Sequence, residues 1–207
     1  MKKLFAGIMA SLFIIAGLLG TGSLAYADTT EIGTYGGGDY GSCGYGSCTI
    51  TLTSGGSVDV DVTPSGAGKC TVQSDTVSVE TGNSAGYTLT MTTNAASNAM
   101  TGTNGTVPAH SGTAASPSIL TMNVWGYRVD GTAGFGAGPT SGQSSGSVPS
   151  GTFAGVPPNT QGGTAVASSN VAVSPAEDTA VWYGACANTT QPSGSYATTI
   201  LYTAVAN

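Results

Sequence analysis

Val58-Asp-Val-Asp-Val62 and, further on, Val77-Ser-Val-Glu80 set valine at every second position with a polar residue between. Successive side chains of an extended chain point to opposite faces. The alternation therefore puts the valines on one face and Asp59, Asp61, Ser78 and Glu80 on the other, as in half-buried β-strands. The same period extends outward in both directions. It runs through Ile50 and Leu52, then Tyr87, Leu89 and Met91, then Leu120, Met122 and Val124. It continues in Val171 and Val173, in Val181 and Tyr183, and from Tyr196 to Val205. About eight short strands rich in Val, Thr and Tyr predict an all-β fold, a single antiparallel β-sandwich. Outside the N-terminal apolar run no window carries the 3.6-residue period of an amphipathic helix.

Two stretches break the alternation. Residues 94–118 and 131–165 are dense in Gly, Ser, Thr, Asn and Pro and read as long loops of one domain spanning 48–207. Phe135, Phe153 and Val156-Pro-Pro158 are apolar points able to pin the second loop to the sandwich. Residues 28–47 form a Gly/Tyr-rich leader.

The charge content narrows the function. Of 207 residues only 7% are charged, with Lys and Arg supplying 4, Asp and Glu 10, and His 1. A typical soluble domain carries about a quarter. Met1-Lys-Lys3, the apolar run Leu4 to Leu19 and the small-x-small pattern Ala25-Tyr-Ala27 together predict a signal peptide, residues 1–27, with the mature chain starting at Asp28. After its removal Lys69 and Arg128 are the remaining basic residues against ten acids. Nucleic acid, which needs a basic face, is excluded as a partner. The protein is expected to be secreted, with no membrane anchor after signal cleavage, and cell-surface associated.

Export sets the state of the cysteines. Cys43, Cys48, Cys70 and Cys186 are an even number in an oxidising compartment, so two disulfides are expected. Cys43-Gly-Tyr-Gly-Ser-Cys48 can close a local loop, which favours Cys43–Cys48 with Cys70–Cys186. A bridge from Cys48 to Cys70 or Cys186 stays open as an alternative. Cys-x-x-Cys is absent, which speaks against a thiol–disulfide enzyme.

Few motifs carry chemistry. Asp59 and Asp61 share a strand face, a calcium site if a third acid and a carbonyl join them; otherwise they are solvated strand residues. Apart from that calcium no cofactor is expected. Glu177-Asp178 sits in a Ser-Pro-Ala-Glu-Asp segment that reads as a turn before a strand. A Ser-His-Asp triad would rest wholly on His110 in a Pro-Ala-His-Ser-Gly loop, a poor support for catalysis. Lys69 reads as a surface residue of the Gly66-to-Cys70 turn, with an isopeptide to Asn as the sharper alternative. Asn104-Gly-Thr106 and Asn188-Thr-Thr190 fit the glycosylation pattern. Trp125-Gly-Tyr127 and Trp182-Tyr-Gly184 each place a large ring beside a glycine. Exposed, Trp125, Tyr127 and Trp182 would be stacking platforms for a glycan or partner; buried, they are core ends of the sandwich.

Several short segments carry a resemblance. Ser84-Ala-Gly-Tyr-Thr-Leu89, Val124-Trp-Gly-Tyr127, Phe153-Ala-Gly-Val-Pro157, Val181-Trp-Tyr-Gly-Ala185 and Gln191-Pro-Ser-Gly-Ser-Tyr196 with Ile200-Leu-Tyr-Thr-Ala204 resemble secreted bacterial cell-surface sandwiches of the WxL-like kind. The ending is also similar to spore-coat and fimbrial-type immunoglobulin-like domains. The resemblance implies a wall-associated, non-catalytic surface protein. No Trp-x-Leu tripeptide stands here, so that family's wall attachment does not carry over.

Two roles follow as expectations. One is a structural protein, not an enzyme: a coat, wall-associated or pilin-like subunit that self-assembles or binds a cell-wall polymer or surface protein. The alternative is an adhesin holding a glycan or partner protein through loops and exposed aromatics.

Overall fold

The structure, a computed structural model, describes residues 49–139 and 141–207, and the backbone alone of Leu12–Gly17, Ile32–Tyr35 and Cys48. The expected Cys43–Cys48 bridge and the cleavage pattern Ala25-Tyr26-Ala27 lie outside the described residues. In chain order the strands are β1 (Leu12–Gly17), β2 (Ile32–Tyr35), β3 (Cys48–Ser54), β4 (Val58–Asp59), β5 (Lys69–Thr81) and β6 (Tyr87–Thr93). Then come β7 (Met100–Gly102), β8 (Gly105–Val107), β9 (Ser118–Ile119), β10 (Val124–Val129), β11 (Gln143–Gly146) and β12 (Thr152–Phe153). The last four are β13 (Thr164–Ser169), β14 (Val173–Ala187), β15 (Ser195–Ala197) and β16 (Thr199–Ala206). The one helical piece among the described residues is a single 3-10 turn, Asn159–Gln161.

The result is an all-β sandwich. One sheet runs β13-β6-β16-β1-β15-β7-β8, with β4 added on β1; the other runs β10-β14-β5-β3-β2, with β11 on β5. Pairings are antiparallel except that β1 and β4 run parallel. β6 shows why the valine-type alternation decides the layer: Tyr87, Leu89, Met91 and Thr93 are buried and the residues between them are half-buried. In β14 the odd positions Val181, Tyr183, Ala185 and Ala187 enter the core between the sheets. The even positions Trp182 and Cys186 point outward into a second, smaller apolar cluster with Cys70, Val72, Leu120 and Phe153.

The strand segments outnumber the eight expected because the two long irregular stretches make pairings of their own. β7 and β8 form a hairpin within 94–118, anchored by buried Met100 and Val107. Residues 131–165 contain β11 and β12, and Phe135, Phe153 and Val156 are all buried. The first excursion adds β7 and β8 to the edge of the first sheet, and the second adds β11 to the other sheet and lays Phe153 on that sheet's outer face. Three local expectations are corrected. Leu120 to Asn123 form the turn into β10, not a strand, and Val171 is 64% exposed in the turn before β14. Glu177 and Asp178 lie within β14, opposite Val79 and Ser78. A register shift between Val173 and Glu177 lets Pro175, which has no N–H to donate, sit in the strand.

Deep in the core the Tyr183 and Tyr202 hydroxyls meet at 2.6 Å across the two sheets. Asp75 is buried near them. Its Oδ1 accepts the Gly55 N–H at 2.8 Å, whereas Oδ2 has no partner. Burial raises its carboxyl from 3.8 to about 6, against the opposing pull of the Gly55 and Thr76 amides. A raised folded value means that the ionised form is disfavoured in the fold. This part of the stability is present at pH 4 and lost as the pH rises through about 6. Asp75→Asn keeps the Oδ1 acceptor and abolishes the charge, so it should raise stability at pH 8 by about 2 kcal/mol. Urea unfolding of both proteins at pH 3 and pH 8 checks this: the gain should vanish at the lower pH, below the ordinary value of 3.8.

Candidate functional site

β10 organises the densest part of the surface layer. Its residues Trp125 to Val129 are all buried, on both faces of the strand. Trp125, Tyr127 and Val129 face the main core. On the outer face Gly126 lies opposite Gly184 of β14. A Cβ at Gly126 would sit 2.6 Å from the Ala154 carbonyl, and one at Gly184 would sit 2.7 Å from Leu120 and 2.8 Å from the Phe153 ring. The glycines of Trp-Gly-Tyr and Trp-Tyr-Gly thus form a shallow bed on which the 153–155 segment rests. Tyr127 and Ala154 exchange backbone hydrogen bonds at 2.8 Å, and His110 N–H donates to the Trp125 carbonyl, so the outer edge of β10 is capped.

The aromatics are therefore core residues. Trp125 and Tyr127 are 1% exposed and Trp182 is 8% exposed. The Trp125 indole N–H donates to the Asn98 carbonyl at 3.0 Å. Of the two settings the sequence leaves open for Trp125, Tyr127 and Trp182, burial is the one found, and it removes them as stacking platforms: a core with few Phe residues is filled by them.

Arg128, which no sequence motif singles out, is fully buried on the outer face of β10. Its Nε donates to Asp130 Oδ1 at 2.9 Å. Nη1 donates to the Thr152 carbonyl, and Nη2 to the carbonyls of Phe135, Gly136 and Ala137 at 2.9–3.2 Å. The guanidinium also lies 5.8 Å from the centre of the Phe153 ring. A Cβ at Gly151 would sit 2.1 Å from Nη1, so glycine there makes room for the guanidinium. One cation holds both ends of the 131–152 excursion.

The nearest approach to catalytic geometry is the pair His110 and Ser118. His110 Nε2 lies 2.9 Å from Ser118 Oγ, beside a cavity of about 370 Å³ lined by Asn98, Gly112, Tyr127 and Thr164 among others. His110 is 5% exposed and held through its backbone by Trp125, so its loop is better fixed than the Pro/Gly-rich sequence implies. The imidazole Nδ1 has no hydrogen-bond partner, so no carboxylate orients the ring as a triad requires. Burial holds the imidazole below its usual 6.5. An NMR titration should place the His110 midpoint below that of a free imidazole, so that at pH 6.5 more than half of the rings are neutral; a midpoint at or above 6.5 would mean the ring is not buried in solution.

The remaining candidates stay apart. Asp59 and Asp61 are exposed between buried Val58, Val60 and Val62, and among the described residues no group of three His, Cys, Asp or Glu gathers that could hold a metal. Lys69 begins β5, six positions from the buried acid Asp75. Asn104 is exposed, with its amide donating to the Ser193 carbonyl, and the Asn188 side chain bonds Asn123 and Thr190. Cys70 and Cys186, opposite one another in the β5–β14 ladder, are joined as a disulfide. The chain matches no protein-family profile, no curated protein and no solved structure.

Proposed function

We propose that the chain is an exported, non-catalytic structural protein of a bacterial cell surface, a coat, wall-associated or pilin-like subunit. The observation that carries this reading is the use of its reactive groups as packing. Cys70 and Cys186 are spent on a disulfide, Trp125, Tyr127 and Trp182 on the core, and Arg128 on loop carbonyls. The disulfide supports an oxidising compartment, and the weak resemblance to WxL-like surface sandwiches points the same way. Among the described residues no helix is long and apolar enough to cross a membrane.

Burial of the tryptophans weighs against the adhesin reading in its aromatic-platform form. Trp125→Ala should lower the melting temperature as a core cavity does, not remove a ligand site from an intact fold. The deciding measurement is fractionation of the native host with disulfides intact. Recovery in the wall or in a high-mass polymer is expected; recovery wholly as free protein in the medium would overturn the proposal.

A further inference from the structure

The two long irregular stretches of the sequence meet in space. Gly155 donates its N–H to the Gly112 carbonyl at 2.9 Å, and Asn98 Nδ2 donates to the Val156 carbonyl at 3.0 Å. A Cβ at Gly155 would sit 2.1 Å from the His110 carbonyl, so the two backbones come this close because one of them carries no side chain. Residues 98–114 from the first stretch and 155–164 from the second line the cavity of about 370 Å³. That volume lies within the roughly 300–1,000 Å³ of small-molecule sites. β10 holds the walls from behind. The Trp125 carbonyl accepts the His110 N–H at 2.7 Å, and the Trp125 indole donates to the Asn98 carbonyl at 3.0 Å. The Tyr127 hydroxyl donates to Thr164 Oγ1 at 3.3 Å. Long connections fixed in this way are suited to carrying a binding site on a rigid frame.

The lining selects a chemical class. Among the described residues that form it there is no acid, lysine or arginine. A charged ligand would give up hydration there with no counter-charge to offset the loss. A hydrocarbon would take water away from hydrogen-bonding groups and return nothing to them. Several such groups are unused by the fold. The Ser111 hydroxyl and the Gln161 amide bond no described residue, and Asn98 keeps its Oδ1 after spending Nδ2 on Val156. His110, also part of the wall, is 5% exposed and has no partner for Nδ1, an orphaned group of the kind that a bound molecule or water ordinarily accounts for. Ala109, Ala114 and Pro157 supply apolar wall between the polar groups. We propose that this cavity binds an uncharged pyranose sugar, whose hydroxyls take up the unused donors and acceptors while its C–H faces lie against the alanines and the proline. No tryptophan lines the cavity, and Tyr127 is 1% exposed, so the sugar is held by hydrogen bonds and fit without ring stacking. This goes beyond a structural role, because the site is complete within one molecule and holds its ligand whether or not the protein assembles.

The test is an NMR titration of the protein, disulfides intact, with glucose, galactose, mannose and N-acetylglucosamine, and with glucuronate as the charged counterpart. At least one neutral sugar should shift the amides of residues 109–114, 155 and 161–164 and the His110 imidazole, saturably and in common. A dissociation constant on the order of 1 mM is expected, the scale of a single sugar held by a few hydrogen bonds. Glucuronate should bind about tenfold more weakly or not at all. Gln161→Ala and Ser111→Ala each remove an exposed side chain that bonds nothing within the chain, so the melting temperature should stay where it is. Each variant should weaken sugar binding about fivefold. The proposal is overturned if none of the four neutral sugars perturbs these residues, or if the shifts fall elsewhere on the molecule. Glucuronate binding as tightly as the neutral sugars overturns it too, as does parental affinity in both variants. Any of these results leaves the fractionation outcome, and with it the surface reading, untouched.

Discussion

Arg128→Ala should lower the unfolding free energy by about 3 kcal/mol, the scale on which a buried cation with several hydrogen bonds is lost from a packed site. The side chain has no exposed surface, and its removal takes the donor from four carbonyls, those of Phe135, Gly136, Ala137 and Thr152, whereas its partner Asp130 stays open to water. Against a typical total stability of roughly 5–15 kcal/mol this is a large fraction. Arg128→Lys retains the charge but not the planar fork that reaches residues on both sides, and should recover less than half of the loss. Urea unfolding gives the magnitude. Hydrogen exchange of residues 131–137 and 151–153 identifies its origin, because the excursion should lose protection before the sheets do. A variant as stable as the parent, with those amides still protected, would show that the carbonyls find other partners.

Removing the Cys70–Cys186 bridge as the double variant Cys70→Ala/Cys186→Ala should cost about 3–5 kcal/mol. The bridge links positions 116 residues apart and so constrains most of the unfolded chain. In the loop-entropy account, stabilisation grows slowly with loop length and is near its upper range here. Both cysteines are essentially unexposed, packed with Val72, Leu120, Phe153 and Trp182. Reductant should therefore act on the native protein only as fast as it opens. Thiol labelling after dithiothreitol, run beside urea unfolding, checks both points. Rapid reduction under native conditions would place the bridge in a locally open region, contrary to its burial.

The alternation around Val58–Val62, Val77–Val79 and Tyr87–Met91 was enough to read strands and a half-buried sheet, because a period of two has one physical meaning in an extended chain. The same rule failed for Leu120–Val124, where the apolar spacing belongs to a turn. It also passed over β10, where Trp125, Tyr127 and Val129 alternate with Gly126 and Arg128 but both sets are buried. The pairing of Cys70 with Cys186 was one of several the cysteine count allowed; the antiparallel register of β5 with β14 selects it. The aromatic motifs could be read as exposed or buried, since a ring and a neighbouring glycine look alike in either setting. Gly126 facing Gly184, with the 153–155 segment lying on them, resolves the question.

By itself the sequence determined the all-β class and the scarcity of basic residues. Those properties depend on local periodicity and composition, which do not change with the path of the chain. Tertiary structure decided what Arg128 does and which strand the sheet requires. Arg128 reads as an ordinary surface cation until carbonyls from residues 135–137 and 152 are brought around it. Leu12–Gly17 reads as a discarded apolar run until its backbone is seen between Ser195–Ile200 and Val58–Asp59. Both are contacts between residues far apart in sequence, and the hydrogen bonds that define them exist only once the chain has closed on itself.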